Sequence, residues 1–374
     1  MKKFWVIILF FGLSTPAIAK DSEASAIMKG MYESIEVLIP YSLSTDEFAA
    51  VSNRSKMQDE LNKFAIKSEV LSDHFKIIRQ DLFFLGYGLS QDAKDAAELY
   101  KAGNYEQSRF VLHHVSDSCV TCHSKAQSQD KKDGGKIFFS NIKNFKLTGF
   151  DLANYQTMSR QFDAALNKFE QTFLAEKFYL NSTAFGSYLK VALRVKNDPV
   201  RVEKFLLKLK NHVPAGSRLY DHVVYWHESA KDIVNNKLRA KSDLKSARRL
   251  IDRGDKIQGY YHDSASIVYY VAASALLLTK LESNKDKDEL AEIFYLLGEI
   301  EDKMPDDFWI SETEMYLEQS IRVAPQSKFG GKSLGLLEDR FLFNYTGSSG
   351  THLPDDLKKN LKELRDLVHS KKKG

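Results

Sequence analysis

Cys119, Cys122 and His123 carry the chemistry that this chain could do. They stand in the run Cys119-Val120-Thr121-Cys122-His123, and the 374 residues contain no other cysteine. On a helix, positions three and four apart share a face, so both thiols point one way and His123 follows Cys119 by one turn. Thiols at that spacing followed at once by an imidazole are the pattern of covalent haem attachment. The thiols add across the two vinyl groups and the histidine becomes the proximal iron ligand. A C-x-x-C pair can also be half of a zinc site, a redox pair or a disulfide. A four-thiolate zinc site needs two further cysteines, and a redox pair would sit at a βαβ motif, of which the flanking sequence gives no sign.

The elements that must hold this motif read as helices. Met28, Met31, Ile35 and Leu38 recur at helical steps, and Pro40 predicts the end of that run. Ser44 with Glu47 resembles a capping box opening a second helix, whose apolar face is Met57, Leu61, Phe64, Leu71, Phe75 and Ile78. A third carries Leu82, Leu85, Leu89, Ala96 and Leu99 and closes at Gly103. Asn104 with Gln107 can cap a fourth, which holds Phe110, Val111, Val115, Cys119 and Cys122. Short connections favour antiparallel neighbours, hence a four-helix bundle with one covalent haem c among the helices.

A leader, four amphipathic helices and C-x-x-C-H near the end of the fourth resemble cytochrome c′ and its six-coordinate, low-spin relatives. The likeness covers roughly the first third of the mature chain. It implies that the first helix supplies the residue on the distal side of the haem: a methionine in six-coordinate members, an apolar side chain in five-coordinate ones. The matching stretch is Ala26-Ile27-Met28-Lys29-Gly30-Met31, with Met28 nearest the family's ligand position and Met31 one turn further on the same face. Family members commonly place a basic residue soon after the haem histidine, and Ser124-Lys125-Ala126-Gln127 follows here. The family also implies a homodimer through the first two helices, unless the extra domain covers that face. A methionine stripe at helical spacing is also ordinary core filling. His74 is the histidine competitor, whereas His113 and His114 sit on the motif's own helix and suit the haem edge or solvent.

Residues 127–136 form a polar, glycine-containing run that reads as a linker. The chain therefore divides into a leader (1–19), a haem domain (20–130), a linker (131–136) and a helical domain (137–374). Two stretches in the last part resemble tetratricopeptide helix pairs: Ala153 with Ala165 and Phe169, and Phe294, Leu297 and Gly298 with Thr313, Leu317, Ser320 and Pro325. The expected fold class is all-α, a four-helix haem bundle followed by a tetratricopeptide-like array whose concave face could dock a protein. His212, His222, His227 and His262 are scattered, and His222 and His227 do not share a helix face. The aromatic set Tyr220, Tyr225, Trp226, Tyr260, Tyr261, Tyr269 and Tyr270 reads as core rather than docking surface.

Met1-Lys2-Lys3, an apolar run from Phe4 to Leu13 and a small-x-small end describe a secretory leader cleaved after Ala19, which implies the periplasm. Without Lys2 and Lys3 the formal charge falls from +4 to +2, so neither nucleic acid nor an anionic membrane is implied. The run from Ala265 to Leu278 is too short for a membrane span and reads as a buried helix, leaving no transmembrane helix in the mature chain. A thioether ligand favours ferrous iron and suits an electron carrier exchanging electrons with a redox partner protein. Open iron would instead suit a gas-binding sensor. A peroxidase also needs a distal acid or base, and none is evident, so the expected role is not enzymatic.

Overall fold

The computed structural model describes residues 16–42, 44–78, 80–125, 147–175, 181–241, 243–260, 263–305 and 311–370. Among them the chain is all-α, apart from a two-residue-a-side hairpin pairing Thr346–Gly347 with Gly350–Thr351. It splits into two compact units, Met1–Val115 and Ser116–Gly374. The division falls inside a helix, so the C-x-x-C-H run belongs with the second unit; residues 126–146, which hold the polar run, lie outside the described residues.

The first unit is built from α1 (Pro16–Ser42), α2 (Thr45–Ala49), α3 (Arg54–Ile78), α4 (Gln80–Lys101) and the first half of α5 (Tyr105–Lys125). Most of the apolar stripes read from the sequence face inward: Ile35 and Leu38 from α1, Met57, Leu61, Phe64 and Phe75 from α3, Leu89 and Ala96 from α4, Val115 from α5; Phe110, read on the same face of α5, is instead 63% exposed. Polar ties fix the register. Lys67 Nζ donates to the Gly30 carbonyl at 2.9 Å, Tyr100 OH to the Phe48 carbonyl at 2.7 Å, and Ser108 Oγ to the Ala96 carbonyl at 2.7 Å. Two boundaries differ from the sequence reading. α1 runs past Pro40 to Ser42: the proline withholds its one amide from the ladder, and the helix ends two residues later. Ser44 does accept the Glu47 amide, at 3.3 Å, but opens only the short α2; the extended backbone at Ala50 breaks the chain before α3. Gly103, at φ +83°, ends α4 in the left-handed conformation, and α5 starts two residues later.

The second unit continues with α6 (Gly149–Met158), α7 (Phe162–Ala175), α8 (Ser182–Leu189) running into a π-helical segment (Lys190–Val195), α9 (Pro199–His212), α10 (Arg218–Asn235), α11 (Leu244–Ile257), α12 (Ile267–Ser283), α13 (Lys287–Lys303), α14 (Thr313–Val323), α15 (Lys328–Tyr345) and α16 (Asp355–His369). Consecutive helices pack in pairs: α6 with α7, α9 with α10, α11 with α12, α13 with α14. Small residues sit where the pairs close. Ala153 and Ala165 are fully buried, and Ser320 Oγ donates to the Ala291 carbonyl at 2.7 Å. The Ser264–Leu281 window is long and apolar enough to cross a membrane, yet 78% of it is buried inside this unit, as a core helix would be. Trp226, Tyr269 and Tyr270 are buried as expected, but Tyr225 and Tyr260 are more than half exposed and are not core. Tyr261 lies outside the described residues.

The α11–α12 contact has no spare room. A Cβ at Gly254 would lie 2.5 Å from Tyr270 Cε1, and that ring cannot retreat, because its hydroxyl is held by Asp255 at 2.6 Å and Gln258 at 2.7 Å. Gly254→Ala is therefore expected to lower stability by about 1–2 kcal/mol despite alanine's better helix propensity. A urea midpoint equal to or above wild type would refute this.

Candidate functional site: the C-terminal half of α5

The motif occupies the last two turns of α5, and its residues divide by exposure. Val120 and Thr121 are buried, whereas Cys119, Cys122 and His123 are half-buried. The helix thus turns the motif's two middle side chains inward, and Thr121 Oγ1 accepts a hydrogen bond from Lys190 Nζ at 3.1 Å. Cys119, Cys122 and His123 fall on the shared face that their spacing requires.

His123 stands apart electrostatically. Burial, and after it the Arg160 guanidinium, push its pKa down to about 4 against the opposing pull of a hydrogen bond to the Met158 backbone. The imidazole is consequently neutral near pH 7, the form that has a lone pair for a metal. Its Nδ1 is enclosed and without a hydrogen-bond partner. An orphaned buried nitrogen is costly unless something else satisfies it. Two half-buried thiols and a neutral imidazole with an unsatisfied nitrogen fit covalent haem as a donor set. Among the described residues no group of three or more His, Cys, Asp or Glu is gathered as a metal site.

The methionines and the remaining histidines are placed as follows. Met28 is half-buried on α1, and Met31 is 4% exposed and part of the first unit's core. His74 on α3 is buried, with Nδ1 3.6 Å from Glu23 Oε2. His113 and His114 lie on α5, but their side chains are outside the described set. His222 Nδ1 lies 2.7 Å from Ser264 Oγ, and His227 Nδ1 lies 3.2 Å from Glu228.

Sequence reading missed Met158, Arg160 and Lys190. Arg160 holds a positive φ of 63° in the turn between α6 and α7, which no local pattern announces. Lys190 had a signal. It and Arg194 interrupt the otherwise apolar run Tyr188-Leu189-Lys190-Val191-Ala192-Leu193-Arg194, and cations inside such a run are buried against specific partners. Comparison with protein-family models, with curated proteins and with solved structures gives no match.

Proposed function

We propose that this chain is an exported, periplasmic monohaem c-type cytochrome that carries electrons, with a cytochrome c′-like four-helix bundle in its N-terminal part and a tetratricopeptide-like domain that docks a protein partner. The observation that supports this most is the C-x-x-C-H run on one helix face, with the His123 nitrogen neutral, enclosed and unsatisfied. Cys119 and Cys122 would form the two thioether links, and His123 would be the proximal ligand. Met28 is the candidate distal ligand, with Met31 second. Bound iron would supply a reversible one-electron couple. The protein's own part is to hold His123 through the Met158 backbone, to keep the imidazole neutral, and to fix the helix through the Lys190 contact with Thr121.

The test is direct. Protein exported in a host able to attach haem is expected to be coloured, to keep its colour on a denaturing gel, and to give a low-spin reduced spectrum. Cys119→Ala with Cys122→Ala is expected to abolish the covalent colour. A colourless wild-type product with both thiols open to alkylation would remove the cytochrome reading.

A further inference from the structure

Two residues of the second unit that break the local rules of helical packing meet the last turns of α5. Lys190 opens the π-helical segment Lys190–Val195, and it is only 2% exposed. Leu189, Val191, Ala192 and Leu193 around it are wholly buried, so an aliphatic residue would complete that core without the desolvation a buried ammonium suffers. Lys190 Nζ instead donates to Thr121 Oγ1 at 3.1 Å, across 69 residues of chain. Arg160 holds φ at 63°, a conformation that few residues bearing a side chain adopt, and its guanidinium lies close enough to His123 to oppose a charge on that ring. Backbone outliers and π-helical turns concentrate at functional sites, and here both adjoin the C-x-x-C-H run.

The point at which Lys190 grips the helix is what gives it leverage. Thr121 precedes His123 by two residues, which sets their side chains roughly 200° apart around the helix axis. Thr121 is 4% exposed and turned inward, while Cys119, Cys122 and His123 are half-buried on the other side. A hydrogen bond at Thr121 therefore fixes how far α5 is rolled about its own axis. An imidazole nitrogen stands roughly 6 Å from that axis, so a roll of about 10° would displace it by about 1 Å. The segment that carries Lys190 is itself anchored further along: Arg194 Nε donates to Ser274 Oγ at 2.8 Å and Arg194 NH2 lies 3.1 Å from Glu301 Oε1.

We propose that the second unit sets the reduction potential of the haem site, with Lys190 as the positioning residue that holds Thr121 and thereby fixes the direction of His123. This deepens the cytochrome reading above and rests on it. Hydrogen bonds outside the ligand set orient a ligating histidine and tune the iron it holds. Control of the proximal side then lies in the unit read as the docking domain, so a change that moves the π-helical segment moves the potential. The effect is one of geometry rather than of the ammonium's charge, and the two have different signatures.

The test uses the whole haem-loaded protein with Thr121→Val, Lys190→Met, the two combined, and Thr121→Ser, which keeps the hydroxyl. Spectroelectrochemical titration reads the ferrous-to-ferric ratio at the wild-type midpoint, and electron paramagnetic resonance of the ferric form reads the orientation of the axial ring. Thr121→Val and Lys190→Met are each expected to move the ratio in the same direction by about threefold or more and to shift the resonance. The double variant is expected to go no further than the larger single one, because both remove one link, and Thr121→Ser to lie nearer wild type than Thr121→Val. Thr121→Val is close to isosteric and carries the test if Lys190→Met does not fold. A lowered melting temperature with ratio and resonance unmoved would make the link merely structural and overturn the proposal. A shift in Lys190→Met alone would assign the effect to charge, and additive shifts in the double variant would separate the two residues; either result overturns it too. Coloured wild type with an unmoved Thr121→Val removes this inference and leaves the cytochrome reading standing, whereas colourless wild type removes both.

Discussion

Glu301→Leu is expected to destabilise the second unit by about 3–5 kcal/mol. Glu301 and Arg194 are each 1% exposed, with Arg194 NH2 3.1 Å from Glu301 Oε1 and Arg194 Nε donating to Ser274 Oγ at 2.8 Å. Removing the carboxylate leaves a guanidinium in a region where water cannot solvate it, and the loss is mostly that uncompensated charge rather than the attraction itself. The double variant Arg194→Met with Glu301→Leu separates the two contributions. It removes both charges and fills the space with apolar atoms, so it is expected to lie near wild type and well above the single variant. Urea unfolding followed by far-ultraviolet circular dichroism reads both midpoints. If the double variant falls as low as Glu301→Leu, the charge argument is wrong and the packing of this region accounts for the loss.

Arg194 also marks how far the sequence could be read. Helices whose apolar residues repeat at three and four were legible because burial of one stripe decides them. Met57, Leu61, Phe64 and Phe75 appear in the core as their spacing requires. The stop at Gly103 was legible for a different reason: a left-handed residue is needed there, and glycine supplies it. Pro40 misled by two residues: proline weakens the turn before it, and the helix still continued to Ser42. Tyr260 misled because composition cannot say which of several neighbouring aromatic rings turns outward.

The candidate site splits in the same way. Cys119, Cys122 and His123 could be singled out because two thiols and an imidazole within five residues form a recognisable donor set, and α5 carries all three on one face. Met158, Arg160 and Lys190 were not, because they meet α5 only through tertiary packing, with 69 residues between Thr121 and Lys190. The pairing of Arg194 with Glu301 spans 107 residues, and nothing local in either sequence names its partner.

If haem is attached as proposed, a comparison of two methionines that the sequence treats almost alike tests which of them would be the distal ligand. Met31 is 4% exposed and packs in the first unit's core, so Met31→Ala is expected to cost about 2–4 kcal/mol of stability through lost burial and the cavity left behind. Met28 is only half-buried, and its truncation should cost much less. If Met28 supplies the thioether, the two variants part in opposite directions on two readouts. Met28→Ala keeps most of its stability but loses the methionine–iron charge-transfer band, shows a lower reduction potential, and binds carbon monoxide without first displacing a ligand. Met31→Ala loses stability and keeps the band. The fall in potential follows from the thioether's preference for ferrous iron, which is withdrawn with the sulfur. A band that survives Met28→Ala and vanishes in Met31→Ala would transfer the role to Met31; a band absent from the wild-type protein would remove both methionines and turn the reading toward open iron.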